Sequence, residues 1–167
     1  MNKILLDLLC QSLFLCLYLS NTYYSNAQGV LDIISQDDLC VSSVLLGTEK
    51  SKLLSRYGKP DSVVINVNEF EGTEFEEFIY YESSFYFQDD IFISFDLRDD
   101  NFQFDYEQIK VGNSIEEIEL VFPNSYNRKE IEETKTTIRV RIGETDSYLL
   151  FICSNGKIKR IMTWDDQ

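Results

Sequence analysis

The side chains able to do chemistry in this chain are carboxylates and cysteines, because it holds 29 Asp and Glu, 4 Cys and no His. Without an imidazole, Ser-His-Asp and Cys-His nucleophile arrangements and every His-ligated metal site are excluded together. Carboxylates alone support two chemistries. One is an acid and base pair of the glycosidase kind, which needs one carboxyl kept protonated in a cleft. That pair defines a secreted carboxylate-dependent hydrolase as one alternative reading of the chain, beside a small-ligand-binding domain whose sheets enclose an apolar cavity. The other chemistry is calcium binding, for which Asp89-Asp90, Asp99-Asp100 and Asp165-Asp166 are the local candidates. None of these pairs sits in a loop of alternating oxygens around a central glycine, so they read as solvated turns. No GxGxxG or GxxxxGK[ST] stretch offers a phosphate cradle. No cofactor, metal or catalytic residue is therefore assigned.

Where the cysteines lie depends on how the chain begins. Met1-Asn2-Lys3 is a short positive start, Ser12 to Leu19 is an unbroken apolar run, and Ser25-Asn26-Ala27 precedes Gln28. This is the pattern of a secretory signal cleaved after Ala27, which places the mature chain in a periplasm or outside the cell. The apolar run is too short to cross a hydrocarbon layer of about 30 Å, so no stable membrane insertion is expected after cleavage. Cys10 follows Leu9 and Cys16 follows Leu15, not the small residue a lipid-anchor signal requires. Cys40 and Cys153 remain. An oxidising compartment preserves a disulfide, and a 40–153 bridge would close a long loop worth roughly 4 kcal/mol in the entropic model. Two small buried thiols packing as hydrophobes are the other reading, and both stand.

The net charge is −14. Nucleic acid and anionic membranes are poor partners for such a chain, since each phosphate contact needs a Lys or Arg. Gln28 to Asp105 carries 17 acids against 5 bases, whereas Tyr106 to Gln167 carries 11 against 9. A basic protein partner would be steered to the first half.

The elements that must position any site show a repeat. With Gly112 placed on Gly47, Val44 and Leu46 match Ile109 and Val111, Thr48 matches Asn113, Leu53 matches Ile118 and Tyr57 matches Phe122. Each copy reads as a strand end, a glycine, a cap (Thr48 or Asn113) and a helix of about three turns. Leu53, Leu54 and Tyr57 share one face of the first helix; Ile115, Ile118 and Phe122 share one face of the second. Gly58 and Pro60 stop the first helix and Pro123 the second. The apolar period then changes to two. Strands are expected over 62–67, 77–81, 84–88, 91–97 and 102–109, and again over 136–142, 147–153 and 157–164, the last two joined by a tight Asn155-Gly156 turn.

Three surface features are candidates for recognition. Glu69, Phe70, Glu71, Glu74, Phe75, Glu76 and Glu77 surround Gly72 and suggest a long acidic hairpin tip between Val67 and Phe78, either offering carboxylates and an aromatic anchor to a partner or lying solvated. Consecutive aromatics such as Phe85-Tyr86-Phe87 must point to both sides of a strand, so some are covered by the other half or face a partner. Arg139, Arg141, Lys157, Lys159 and Arg160 alternate across neighbouring strands and suit cross-strand ion pairs.

Val44 to Asp61, with its Gly-Thr, short helix and Tyr-Gly-Lys-Pro-Asp turn, and the matching stretch from Ile109 to Ser125, resemble the BamE/SmpA-like periplasmic modules of outer-membrane assembly lipoproteins. The duplication is similar to that of the β-lactamase inhibitory protein. The likeness runs over residues 40–164; the lipid-bearing Cys of the assembly lipoproteins is missing, and Phe122-Pro123 replaces Tyr57-Gly58 in the second copy. The resemblance implies an α+β fold, a tandem repeat of a short helix packed on an antiparallel β-meander, over residues 28–105 and 106–167. It also implies a non-catalytic, exported protein-binding module, envelope-assembly-like or inhibitor-like, that uses an exposed sheet face and adjoining loops.

Overall fold

The computed structural model describes residues 30–68 and 72–165. The signal segment over 1–27 and three members of the acidic segment, Glu69, Phe70 and Glu71, lie outside the described residues. The elements are, in chain order, β1 (Ile33–Ile34), β2 (Cys40–Val41), β3 (Val44–Leu45), α1 (Lys50–Tyr57), β4 (Ser62–Val67), β5 (Glu74–Tyr80), β6 (Ser83–Gln88) and β7 (Ile91–Leu97). Then come β8 (Gln103–Phe104), β9 (Ile109–Lys110), α2 (Ile115–Val121), α3 (Pro123–Asn127), β10 (Glu130–Glu132), β11 (Lys135–Ile142), β12 (Ser147–Ser154) and β13 (Lys157–Asp165). Among the described residues no helix is long and apolar enough to cross a membrane.

Both longer helices begin three residues after a glycine. Gly47 and Gly112 hold φ of +83° and +91°, a region closed to most side chains, and so turn the chain out of β3 and β9 sharply. The glycine N–H groups donate to Phe92 O and Ile158 O, each at 2.8 Å, and the amides of Phe92 and Ile158 return the bond to Thr48 O and Asn113 O, each at 2.9 Å. The expected caps are displaced by one residue. Glu49 and Ser114 are the N-caps, and Ser114 forms a capping box with Glu117. Thr48 and Asn113 instead close the glycine turn: Thr48 Oγ1 donates to Leu45 O at 2.8 Å, and Asn113 Oδ1 accepts from Lys110 N at 2.7 Å.

The strands form a large sheet in the order β1-β11-β12-β13-β7-β6-β5-β4, with β10 also on β11, and a small sheet in the order β3-β2-β8-β9. The large sheet is antiparallel except for the β1·β11 pair. Helices and small sheet cover one face of it. Leu53 of α1, Ile118 of α2, and Val41 and Phe104 of the small sheet are buried against Phe85, Phe92 and Phe95 from one meander and Ile138, Leu149 and Phe151 from the other. Rings run through this core without a break, from Tyr57 through Phe102, Phe85, Phe92, Phe95, Phe104, Tyr106 and Phe122 to Phe151, with neighbouring centroids 4.8–6.4 Å apart. Burying each phenylalanine stabilises the fold by about 1.5–3 kcal/mol, so this chain of rings supplies a large share of what holds the two meanders together. Intramolecular cover thus claims most of the aromatic side chains.

The two longer helices, Lys50–Tyr57 and Ile115–Val121, are about two turns each rather than three, and two further expectations about elements need correction. The strand read over 102–109 is broken: β8 spans Gln103–Phe104, and Glu107 then turns at φ +51° before β9. Asp105 forces the break, since its carboxylate accepts from Ser43 N at 2.5 Å while its own N–H donates to Cys40 O at 2.9 Å. The hairpin between β4 and β5 is also tighter than expected, with Val67 paired to Glu74, so Glu74 to Glu77 are strand residues.

Candidate functional site

The face of the large sheet turned away from the helices is covered by no other element among the described residues. Period two puts Arg139 of β11 beside Leu150 of β12, Leu150 beside Met162 of β13, and Met162 beside Asp96 of β7. Tyr148 lies beside Trp164, and Ile152 beside Arg160. Asp96 continues to Ser84, and Tyr86 to Glu77, across β6 and β5. The same parity that buries Ile161 and Phe95 therefore exposes a strip of aromatic, sulfur and guanidinium side chains.

Two grooves cross this face. One, of about 410 Å³, lies over β11 to β13 and is lined by Arg139, Tyr148, Leu150, Arg160, Met162 and Trp164 among others. The second, of about 610 Å³, is lined by Phe75, Tyr86, Ile93, Ser94 and Trp164 among others. It opens where β7 and β13 part: they pair only at Leu97 with Ile161 and Asp96 with Met162, beyond which the Ser94 and Thr163 hydroxyls bond at 2.6 Å. Trp164 borders both grooves and is 51% exposed. Phe75 and Tyr86 meet edge to face at 6.1 Å.

A buried carboxylate lies beside Met162 in the strand pairing. Asp96, 1% exposed, accepts from Arg98 Nε and Nη2 at 2.9 and 2.6 Å and from Arg160 Nε and Nη2 at 2.6 and 2.7 Å. Four charge-assisted bonds offset the cost of burying it, and they fix both guanidinium planes. The Asp96 hydrogen bonds raise the pKa of Arg98 above its ordinary value. Burial first, and the neighbouring Glu77 carboxylate second, raise that of Tyr86, keeping the phenol protonated.

Of the acidic segment, the described members are split between faces. Phe75 and Glu77 share the open face, where Glu77 accepts from Asn66 Nδ2 at 3.2 Å. Glu74 and Glu76 point to the other side, and Glu76 is paired with Lys50 at 2.8 Å, as is Asp90 at 2.5 Å. The four residues do not make one anionic patch. The expected cross-strand pairs include Arg139 with Glu130 at 3.1 Å and Arg160 with Asp96.

Cys40 and Cys153 are free thiols, so the bridge is not formed in this structure. Cys40 pairs with Leu45 in the small sheet, and Cys153 lies opposite Thr136 in the large one. Burial pushes both thiols up to about 11, in Cys40 with help from the adjacent Asp105. A nucleophilic or metal-binding cysteine needs the opposite shift. Among the described residues no group of His, Cys, Asp and Glu could hold a metal ion.

Sequence reasoning missed Trp164 and Met162, and did not single out Asp96 as the acid that Arg160 meets. Alternation from Arg160 through Met162 to Trp164 was a usable signal, obscured by the shift in register between Ile152 and Cys153.

No protein-family model matches the chain, and no curated protein matches it significantly. Among solved structures, the chain is similar to a candidate β-lactamase inhibitor protein from Streptococcus mutans, at 12% identity, over 72% of this chain and 85% of that chain, with a TM-score of 0.31.

Proposed function

We propose that the chain is an exported, non-catalytic protein-binding module of the inhibitor kind that engages a protein partner through the open face of its large sheet. The observation that carries this reading is the strip around Trp164. Trp, Tyr and Arg dominate interface energy and Met is enriched at interfaces, and here Trp164, Tyr148, Met162 and Arg160 gather at one groove with Trp164 half-exposed. Non-catalysis is supported by the thiols held protonated and by an Asp96 carboxylate wholly engaged by arginines.

We also propose that the fold is a duplicated unit, with its boundary between Asp105 and Tyr106. The matched hydrogen bonds of Gly47 and Gly112 support it, as do the bridges of the two N-caps, Glu49 with Ile91 and Ser114 with Lys157. Register also shifts at equivalent places, between the third and fourth strands of each meander, at Tyr86/Phe87 and Ile152/Cys153.

The test uses protein expressed from its full sequence, with N-terminal sequencing of the exported form expected to begin at Gln28. Secreted and envelope proteins, serine β-lactamases first, are screened for binding at moderate salt. Trp164→Ala is expected to weaken a specific complex by about tenfold or more, as a hot-spot truncation does. Leu120→Ala, at an 84% exposed site on α2, leaves it unchanged. Binding that survives both Trp164→Ala and Met162→Ala overturns the assignment of the face, and no binder across the panel overturns the function.

A further inference from the structure

We propose that β4 is a self-association edge, through which two copies of the chain pair antiparallel about a twofold axis at Ile65. Among the described residues β4 ends the large sheet and bonds only to β5, leaving its outer N–H and C=O groups free for another strand. Its sequence, Ser62-Val63-Val64-Ile65-Asn66-Val67, contains no charge, proline or glycine. Edge strands of this composition join other strands unless something blocks them, and the usual blocks are Lys, Pro, a bulge or a covering loop. The register with β5 is unbroken over all six residues. Four apolar side chains stand in solvent: Val63 is 49% exposed, Val64 37%, Ile65 68% and Val67 54%.

The pattern on the strand identifies a second copy as the occupant. Val63, Ile65 and Val67 share one face, opposite Phe78, Glu76 and Glu74 of β5. With the axis at Ile65 and perpendicular to the sheet, Ile65 faces its own equivalent and Val63 faces Val67 of the second copy, in both directions. That face becomes a continuous ladder of β-branched side chains, the pairs that stabilise sheets most. On the other face Val64 meets Asn66. Moving the axis to Val64 would set Val67 against Asp61, whereas in the Ile65 register every residue of β4 meets an uncharged one. The strand is thus complementary to itself, in a chain whose net charge of −14 otherwise keeps copies apart.

Strength follows from size. A six-residue strand pair falls short of the 1,200–2,000 Å² of standard stable interfaces, so the dissociation constant is on the order of 10–100 µM. Added salt screens the repulsion between copies and leaves the apolar ladder intact, so dimerisation strengthens with ionic strength. The axis keeps the open faces of both copies on one side of the joined sheet. Neither Ile65 nor the valines line the two grooves around Trp164, so the inference stands or falls apart from the partner-binding reading.

Sedimentation equilibrium on protein expressed from its full sequence, from about 1 to about 500 µM, is expected to pass from monomer to dimer. Ile65→Lys sets two ammonium groups directly opposite and is expected to weaken self-association at least about tenfold, with an unchanged melting temperature because the site is exposed. As a register test, Ile65→Cys is oxidised at high concentration and compared with Val64→Cys. A self-linked dimer forms readily from Ile65→Cys and poorly from Val64→Cys, a readout that holds even if the lysine variant fails to fold. A wild type that stays monomeric throughout, a dimer indifferent to Ile65→Lys, equal cross-linking of both cysteine variants, or linkage to a different protein would each overturn the proposal.

Discussion

The two outer edges of the large sheet are finished in opposite ways. At one, β4 carries six uncharged residues, five of them exposed, and among the described residues pairs only with β5. At the other, β11 is capped twice: β10 pairs with its first half through Glu130, Ile131 and Glu132, and β1 with its last residues, Arg141 and Ile142. Asp32 pins β1 in place. Its carboxylate accepts from Asn124 Nδ2 at 2.9 Å and Ser125 N at 2.8 Å, its N–H donates to Ser125 Oγ at 3.0 Å, and its carbonyl accepts from Arg141 N at 2.9 Å. β11 also carries Lys135, Arg139 and Arg141, where β4 has no charge. One chain therefore holds both the usual protection of an edge and its absence, and the difference marks β4 as the end left available for pairing.

The short seam between β7 and β13 holds the two meanders in one sheet with two ends. Asp96→Ala is accordingly the most damaging change, because it leaves Arg98 and Arg160 facing each other without their carboxylate. Breaking a buried pair costs 3–5 kcal/mol, and solvent access to both arginines, whose side chains are 52% and 31% exposed, brings the expectation to about 3 kcal/mol. Urea melts of the wild type and the variant check it. A loss under about 1 kcal/mol would mean that packing alone joins the meanders.

Cys153 reports on the guarded side, one strand in from β11. Its thiol ordinarily titrates near 9.0, and burial lifts it to about 11. The native state therefore keeps a proton that the unfolded chain releases between those values. Stability present below pH 9 is lost as pH rises towards 11, by up to about 1.4 kcal/mol per pH unit. Cys153→Val, of similar bulk and without a proton to lose, is expected to flatten that decline in melts at pH 8, 9 and 10.

Removing the guard itself has a smaller effect. Asp32→Ala deletes the bonds that seat β1 on α3 and is expected to cost about 1–2 kcal/mol. The amides of Arg141 and Gly143, bonded to Asp32 O and Ile34 O, should then exchange faster, while those of β5 beside the bare edge stay as they were. Alkylation of Cys153 should quicken as well.

How much of this was legible in residues alone varies with the range of the interaction. Strands of alternating pattern, such as 62–67 and 91–97, and helices whose glycine, apolar face and stop signals agree were readable, because each depends on neighbours in sequence. The caps moved by one residue because Thr48 and Asn113 bond three residues back, to Leu45 O and Lys110 N, and so close the glycine turn instead. The break at Asp105 depends on Ser43 and Cys40, 62 and 65 positions away. The open face was foreseen as a surface, but Trp164 was not, since which parity faces outward in β13 is decided by a register shift against β12. The acidic segment was read as a long hairpin tip because composition does not reveal that Glu74 to Glu77 pair with β4 and alternate between two faces.

The smallest effect separates two explanations of the guarded edge. Glu130 and Arg139 pair at 3.1 Å with side chains 52% and 48% exposed, so solvent and salt screen the attraction, and Glu130→Ala should change stability by no more than about 0.5 kcal/mol. If backbone pairing by β10 is what closes the edge, the variant should remain as reluctant to associate there as the wild type, and an Ile65→Lys background, silent at β4, would stay monomeric with Glu130→Ala added. If instead that double variant self-associates, charge is the guard on β11, and β4 is open because its six residues carry none, whatever lies beside them.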